Sequence, residues 1–400
     1  MNGTIKLVAP LLAALAVAAC NAGGNSNLPA TAGQSSTQSQ RSNLPEWQAK
    51  NLATAACPQV KGVPACMALI QSKSGISPDV AGWAPADFQA RYHLPSSTNG
   101  AGQVVAIVDA YDNPNVASDL AAYRSQFGLG TAPFTKYNQN GQQSGYPRGS
   151  TGWGVEIDLD VEMVAAACPK CSIDLIEANS SASSNLQTAE VTAVNLGAHI
   201  VSNSWSCLGS DSCVSTSDFD TPGVVYLAAS GDSGYNQIGA PAVFASVVAV
   251  GGTVLSKSGA TYHETVWNGA GAGCSVLTKP SWQHDPSCAK RTVTDVSAVA
   301  WQVAEYDTYG YSGWFTVGGT SVATPLNAAV FGLAGNASTQ SDPSGFWTAT
   351  QPTRRADLNT ISSGSDGSCS GKYLCTAGTH QYKTYSGPAG WGTPNGIGLY

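Results

Sequence analysis

Charged residues are scarce in this sequence of 400 residues. Asp, Glu, Lys and Arg make up 11% of it, well below the roughly 25% of an average soluble protein. The 18 Lys and Arg residues are scattered and the formal net charge is −7. The chain therefore lacks the basic patch that binding to nucleic acid or anionic lipid requires, and we expect neither partner. Gly, Ser, Thr, Asn and Ala are abundant instead, which is typical of exported, loop-rich proteins.

The apolar run near the N-terminus is short. Residues 7–19 follow Lys6 and are too few to span a bilayer, so we predict that residues 1–20 are an export signal. Its end, Val17-Ala18-Ala19-Cys20, resembles a bacterial lipobox and favours a lipid-bearing Cys20. Ordinary cleavage at the small residues Ala16-Val17-Ala18 is the alternative. We expect an outer-membrane or cell-surface lipoprotein that meets the membrane only through Cys20, or a secreted protein.

The rest of the chain divides by composition into three stretches. Residues 21–44 are rich in Gly, Ser, Asn, Gln and Thr, which predicts a flexible linker. Residues 45–80 form a short propeptide-like segment, and residues 81–400 form the main body. A chain of this length with 42% hydrophobic residues can bury a large core. We expect one large domain and a monomer.

A complete set of zinc ligands is missing. Cys168-Pro169-Lys170-Cys171 has no second CxxC and no HxxxH to accompany it, and the five His are dispersed. Without Cys20, ten Cys remain, and they fall into five pairs of close neighbours. We predict five disulfides and an oxidising compartment. The predicted pairs are Cys57/Cys66, Cys168/Cys171, Cys207/Cys213, Cys274/Cys288 and Cys369/Cys375.

Four apolar runs predict buried strands of a parallel sheet. They cover residues 103–109, 199–204, 223–229 and 247–252. The first precedes a predicted helix over residues 114–127. Strands that alternate with helices predict an α/β fold of three layers, with a mostly parallel central sheet covered by helices on both faces. Active sites in such sheets lie at the carboxyl ends of the strands.

The most specific motif is Gly318-Gly319-Thr320-Ser321, which precedes a predicted helix of small residues over 326–335. A Ser at a helix N-terminus has its hydroxyl near free backbone N–H groups. Those groups can stabilise the negative oxygen of an acyl-transfer intermediate. The alternative is an ordinary Gly-Thr-Ser helix cap.

A nucleophilic Ser needs a base, and the usual His is missing. Subtilisin-like enzymes carry it in a His-Gly-Thr motif, but no His here is followed by Gly-Thr, which excludes a true subtilisin. Glu156 and Asp160 lie four residues apart on a predicted helix and therefore side by side. Two neighbouring carboxyls share a proton, so the pair can relay a proton to and from Ser321 at acidic pH.

The same predicted helix carries two further acidic residues. We interpret Asp158 and Glu162 as an acidic turn favoured by the helix dipole, while Ile157, Val161 and Val164 mark the buried stripe.

A third motif, Ser230-Gly231-Asp232, ends a predicted buried strand. A protonated Asp232 could donate a hydrogen bond to an oxyanion, which requires low pH or a strongly raised pKa. Taken alone, the motif is an ordinary turn.

In this order the three motifs resemble those of the sedolisin family of serine-carboxyl peptidases, which have an enlarged subtilisin-like fold. The resemblance covers about residues 81–400. It implies that Ser321 is the nucleophile, Glu156 its general base and acid, Asp160 the residue that orients Glu156, and Asp232 part of the oxyanion hole. It also implies that protein or peptide substrates are hydrolysed through an acyl-enzyme.

Ser202-Asn203-Ser204-Trp205 resembles the family's substrate-pairing strand, to which an extended peptide adds by β-augmentation. The resemblance therefore implies substrate contacts at Ser202, Ser204 and Trp205, with Ser230 and Gly231 nearby. The usual Ser-Tyr-Gly is replaced here by Ser-Trp-Ser, so the family's specificity does not transfer. Asp109 receives no role, because the family moves the catalytic carboxylate from that strand to the helix pair.

The resemblance also implies one structural calcium ion near the C-terminus. Asp357 and Leu358 match the first half of its ligand set, but Gly392 stands where a second Asp is expected. Loss of a carboxylate weakens a site for a hard cation. Calcium is therefore a candidate with an incomplete ligand set, and no organic cofactor is expected.

Two functions remain open. The first is a peptidase with an optimum below about pH 5, and the second is a catalytically inactive, peptidase-like surface binding protein. Competent residues at all four catalytic positions favour the enzyme. The short propeptide-like segment and the weakened calcium site favour the inactive scaffold.

Overall fold

The computed structural model describes residues 52–71, 80–378 and 382–400, together with Met1, Pro45, Gln48 and Lys50. The predicted export signal from residue 2 onward, with its Cys20, and the whole predicted linker at residues 21–44 lie outside the described residues. Residues 41–400 belong to one compact unit. The boundary at residue 81 therefore stays a prediction from the sequence. In the described part of the chain, no helix is long and apolar enough to cross a membrane.

Short strands and a few long helices make up this unit. The strands in chain order are β1 Ala53–Ala55, β2 Ala65–Cys66, β3 Leu69–Gln71, β4 Val104–Ala110, β5 Phe134–Asn138, β6 Ser172–Ala178, β7 Ile200–Asn203, β8 Trp205–Ser206, β9 Val225–Ala229, β10 Val247–Ser258, β11 Thr261–Val266, β12 Gly273–Thr278, β13 Lys290–Val293, β14 Val296–Val299, β15 Val303–Asp307, β16 Gly313–Gly318, β17 Leu358–Asn359 and β18 Thr393–Pro394. The helices are α1 Pro85–Arg91, α2 Val116–Phe127, α3 Thr151–Ala167, α4 Ser183–Asn195, α5 Thr320–Ala334, α6 Ser344–Thr348 and α7 Gln351–Asp357, with short 3-10 turns at Thr216–Phe219 and Ala337–Thr339.

An eight-stranded sheet forms the centre of the unit. Its order is β11-β10-β9-β7-β4-β6-β5, and β14 also pairs with β10. All of these pairs are parallel except β10 with β11. The four predicted strands correspond to β4, β7, β9 and β10, and the helix predicted to follow the first is α2. Strand β10 is longer than expected because it continues to Ser258 and turns back into β11.

The two faces of the sheet bury different clusters. In β4, Val105 and Ile107 join the cluster that contains the apolar side chains of α3 and α5. The alternate residues Ala106 and Val108 join a second cluster with those of α4. This alternation follows from the period of two along a strand. The predicted three-layer α/β fold is therefore confirmed.

The predicted cysteine pairs are all confirmed as disulfides, and each closes a loop with a sequence separation between 3 and 14. The bond between Cys168 and Cys171 leaves no thiolate there for zinc.

Helix α3 carries Glu156 and Asp160 and is buried along its length. Every residue from Trp153 to Ala167 is buried, because α1, α2, α5, β4 and β15 all pack against this helix. The sequence interpretation of Asp158 and Glu162 as a dipole-favoured acidic turn is therefore wrong, since neither lies in the first turn and both are fully buried.

Residues 52–71 are part of the same unit. Strands β1 and β3 extend the antiparallel pair β15-β16 into a four-stranded sheet of order β1-β3-β16-β15. Strand β2 pairs with β8. The described part of the predicted propeptide-like segment therefore pairs with strands of the body through β2 and β3, whereas β1 pairs with β3 of the same segment.

Candidate active site

Ser321 lies in the first turn of α5, directly after a left-handed backbone step. Gly319 precedes the helix with φ 113°, a conformation that strongly favours glycine. The Ser321 side chain is fully buried, and its hydroxyl donates to the carbonyl oxygen of Ser204 at 3.2 Å. The helix N-terminus therefore presents the Ser321 hydroxyl and the positive end of the helix dipole to the same small space.

Glu156 and Asp160 lie one turn apart on α3, and both are fully buried. Burial and the nearby Asp109 carboxyl raise the pKa of Glu156 well above its usual range, although the Ser321 hydroxyl lowers it. Burial, Asp109 and Glu156 raise the pKa of Asp160 in the same way, and the Ser204 hydroxyl lowers it. Three carboxyls thus share one dry region, so one ionised member is stabilised by protons that the others hold.

Asp109 is a member of this group that the sequence analysis set aside. Its side chain is fully buried, and burial raises its pKa to about 8. The signal that could have found it was present, because Asp109 lies near the carboxyl end of β4, where active-site residues of parallel sheets gather.

Asp232 approaches Ser321 from the loop after β9. One of its carboxyl oxygens, Oδ1, accepts hydrogen bonds from the Thr320 N–H and the Thr320 hydroxyl, both at 2.8 Å. Burial raises the pKa of Asp232 to about 7, although both Thr320 groups lower it. Below that pH the carboxyl carries a proton, and it can then donate a hydrogen bond to a developing negative oxygen.

The predicted substrate residues do not all face the same space. Trp205 pairs through its backbone, but its indole N–H donates to the Val108 carbonyl at 3.2 Å and its ring packs against Phe219 in the core. Ser202 lies inside β7, where it pairs with Ile107 and Leu227.

Ser204, Ser230 and Gly231 lie closer to Ser321. The Ser204 carbonyl accepts from the Ser321 hydroxyl. The Gly231 N–H donates to the Thr320 hydroxyl at 3.3 Å, and Ser230 precedes it at the end of β9. Ser204 and Gly231 are therefore within reach of a peptide at Ser321, whereas the Trp205 ring contributes packing.

A second cluster of carboxyls includes Asp158, which lies between Glu156 and Asp160 in the sequence of α3. Asp158 meets Asp119 of α2 and Asp307 of β15, and one oxygen from each lies within 4.8 Å of the others. Burial raises the pKa of all three. Such a group can hold a metal ion when ionised, or share protons when it is not.

The calcium site implied near Asp357 does not fit its residues. A Cβ on Gly392 would lie 2.2 Å from the Asn359 carbonyl oxygen, so a carboxylate-bearing residue has no room there. The Gly392 carbonyl accepts from the Ser297 N–H at 2.9 Å, and that of Asp357 from Asn395 at 2.9 Å. Of the positions matched to the family's ligand set, Asp357 alone brings a carboxylate, whereas calcium takes six to eight oxygens.

Comparison with known proteins gives consistent results. No protein-family model matches the chain. The chain is 30% identical over 290 residues to kumamolisin of Bacillus sp. (strain MN-32), covering 62% of this chain and 51% of that protein. It is 27% identical over 353 residues to sedolisin of Pseudomonas sp. (strain 101), covering 77% of this chain and 59% of that protein. The chain thus spans little more than half the length of these curated relatives.

Solved structures agree with the fold. The chain is similar to Pseudomonas sedolisin, a serine-carboxyl proteinase in complex with two molecules of pseudo-iodotyrostatin, with a TM-score of 0.66 and 26% identity over 79% of this chain and 96% of that chain. It also resembles the S41 psychrophilic protease, with a TM-score of 0.51 and 20% identity over 79% of this chain and 98% of that chain, a likeness of fold alone.

Proposed function

The chain belongs to the sedolisin family with a subtilisin-like fold, and from that premise we propose that it is a serine-carboxyl peptidase that hydrolyses peptide bonds at acidic pH. The observation that carries the proposal is the convergence of Ser321, Glu156, Asp160 and Asp232 on one buried space. Its substrates are proteins or peptides, and we propose that it acts as an exported monomer, with Cys20 as its only membrane contact.

The proposed reaction begins with the Ser321 hydroxyl. Its oxygen attacks the substrate carbonyl carbon while its proton passes to Glu156, and Glu156 passes its own proton to an ionised Asp160. Asp232, protonated below about pH 7, donates to the oxyanion. The protons then return along the same route to the leaving amine, and water hydrolyses the acyl-enzyme in a second, similar cycle.

Acidity matters because Asp232 must keep its proton. The pKa of Asp232 in the folded protein is about 7. Activity should therefore be lost as pH rises through 7, since an ionised Asp232 repels the oxyanion. Asp109 and the pair on α3 add to this requirement, because ionising more than one of them in a dry region is unfavourable.

Two variants with the same chemical change test the proposal. Ser321→Ala should abolish hydrolysis of an unfolded protein between pH 3 and 6, whereas Ser184→Ala, on the exposed side of α4, should leave the rate unchanged. Thermal unfolding followed by circular dichroism checks that both variants fold. If the wild-type protein hydrolyses nothing in this range and behaves like Ser321→Ala, the inactive binding scaffold is the better description.

We propose no calcium ion at Asp357 and Leu358, since the surrounding residues do not fit one. The group of Asp119, Asp158 and Asp307 is the alternative place for a cation. Its raised pKa values favour protons over metal at the proposed working pH.

A further inference from the structure

Three aspartates from different elements meet at the helix that carries Glu156. Asp119 comes from α2, Asp158 from α3 and Asp307 from the end of β15. One carboxyl oxygen from each lies within 4.8 Å of the others, and none of these residues is more than 2% exposed. Carboxyls that are buried this close together need protons or a cation between them.

Two of these carboxyls are held by donors at one oxygen only. The Asn113 side-chain amide donates to Asp158 Oδ2 at 2.6 Å, and the Gly310 N–H donates to Asp307 Oδ1 at 3.1 Å. The other oxygen of each, Asp158 Oδ1 and Asp307 Oδ2, has no hydrogen-bond partner in the described part of the chain. Donors that orient one oxygen and leave the other available are the outer partners that metal-binding carboxylates usually have.

The loop after β15 covers the cluster on the solvent side. The N–H and the hydroxyl of Thr308 donate to the Asp119 carboxyl at 3.0 and 2.7 Å. Thr308 and Gly310 are themselves exposed. One short loop therefore separates the aspartates from water, which gives a small ion a route to them.

A fourth carboxyl points at the cluster from β15. Glu305 lies two residues before Asp307, so both side chains project from the same face of the strand. Glu305 is fully buried, and neither of its oxygens has a hydrogen-bond partner among the described residues. Asp307 and Asp158 are the carboxyls that most raise its pKa. A buried carboxyl without a partner is costly unless a ligand or a proton satisfies it.

The described residues offer no Lys or Arg as a partner to these four carboxyls. The ion pairs in this part of the chain all involve other acidic residues. Lys136 lowers the pKa of Asp158, but its ammonium group pairs with Asp112 and Glu177 instead. A bound cation would therefore supply positive charge that the protein itself does not provide.

The distances between the oxygens select the kind of ion. Ca²⁺ binds oxygen at about 2.3–2.6 Å, so oxygens that share one Ca²⁺ lie within about 5 Å of one another. Mg²⁺ binds at about 2.0–2.1 Å and needs them within about 4.2 Å. The observed limit of 4.8 Å fits the larger ion. Because the cluster has only carboxyl oxygens and neither Cys nor His, zinc and copper are disfavoured.

We propose that Asp119, Asp158, Asp307 and Glu305 form a binding site for one divalent cation of the size of Ca²⁺, separate from the position of Asp357. The ion would join α2, α3 and β15 through at least one carboxylate from each. It would therefore hold α3, which carries the proposed general base, against two of its neighbours. The inference does not depend on peptidase activity.

The test uses the full wild-type chain at pH 7.5, because protons compete with metal ions for carboxylate oxygens. After removal of metals with a chelator, calorimetric titration with CaCl₂ should find one site per chain with a Kd below about 100 µM. Mg²⁺ should bind at least about tenfold more weakly. Saturating CaCl₂ should raise the thermal unfolding temperature by at least about 3 °C.

Variants with one matched chemical change locate the ion. Asp158→Asn removes a carboxylate from the cluster and should weaken Ca²⁺ binding at least about tenfold. Asp357→Asn, the control at the position that the family resemblance suggests, should bind Ca²⁺ like the wild type. Asp307→Asn repeats the test from β15, so the result does not depend on the folding of one variant. Circular dichroism at pH 7.5 identifies the variants that fold.

Each result supports or refutes the inference. Loss of Ca²⁺ binding in folded Asp158→Asn or Asp307→Asn, with binding retained in Asp357→Asn, supports it. If the wild type binds no Ca²⁺ even in the millimolar range, the four carboxyls hold protons only and the inference is refuted. Binding that survives both substitutions in the cluster also refutes it, and loss of that binding in Asp357→Asn would place the ion near the C-terminus.

Discussion

Replacing Asp109 by Asn should make the protein more stable at neutral pH. Asp109 is fully buried near the end of β4, and neither of its oxygens has a hydrogen-bond partner among the described residues. Burial raises its pKa to about 8. Asn has nearly the same shape and never ionises, so the variant keeps the neutral form that this position favours at low pH.

The size of the effect follows from linkage. In the unfolded chain Asp loses its proton near pH 4, at a pKa of about 3.9, whereas the folded protein keeps the proton up to about pH 8. Within this window the folded state binds more protons, so each pH unit lowers the free energy of unfolding by about 1.4 kcal/mol. The contribution of Asp109 is complete below pH 4, and about 4 kcal/mol of it is lost by pH 7.

Denaturant unfolding at pH 4, 5.5 and 7 measures this difference. Both proteins carry Ser321→Ala to prevent proteolysis. The Asp109→Asn variant should match its parent within about 1 kcal/mol at pH 4 and exceed it by up to about 4 kcal/mol at pH 7. Asp220→Asn, at an exposed position, is the matched control and should show no such trend. A difference that is constant with pH, or that grows toward acid, would refute the reasoning.

Three further outcomes are expected. Asp232→Asn should lower turnover at pH 4 by about 10²–10³-fold. The pH profile of kcat should show that its remaining activity does not fall as pH rises through 7. A fall like that of the wild type would mean that another group sets this limit. Glu156→Gln should reduce kcat by about 10²–10⁴-fold. Glu162 is equally buried on α3 but accepts a hydrogen bond from the Tyr306 N–H at 3.2 Å, so Glu162→Gln should keep kcat within about tenfold of the wild type. Equal losses would contradict the role of Glu156. A chelator should leave the thermal unfolding temperature at pH 4 unchanged, because the positions matched to the calcium site bring no carboxylate besides Asp357. A decrease that Asp357→Ala removes would restore the calcium site, and one that Asp158→Asn removes would place the ion on α3.

Local patterns predicted the central sheet well. A buried parallel strand is indicated by a run of apolar residues, which is long in β4 and β9 and limited to Ile200 and Val201 in β7. The disulfide pairs could also be predicted from the sequence, since each joins cysteines that are neighbours along the chain. The grouping of residues near Ser321 followed from a family resemblance, and the catalytic roles of those residues stay predictions.

Two features lay beyond what local patterns can give. Helix α3 looked amphipathic because four of its residues are acidic. These side chains can be buried when they hold protons, and burial raises the pKa of all four. Such pKa shifts cannot be predicted from the sequence pattern. The segment at residues 65–71 has no distinctive motif. Its partners β8 and β16 lie more than a hundred residues away along the chain, so only the folded structure places it beside Ser321.

The short loops closed by the five disulfides bear on how the chain acquires its crosslinks. Sequence separations of 3, 6, 6, 9 and 14 mean that each cysteine's partner is among the first thiols that diffusion brings to it, because short loops close at the lowest entropic cost and within about a microsecond. Correct pairing therefore does not wait for the sheet to assemble. A chain that emerges gradually from a translocation pore could complete each crosslink in turn, and mispaired isomers should be rare even without a disulfide isomerase.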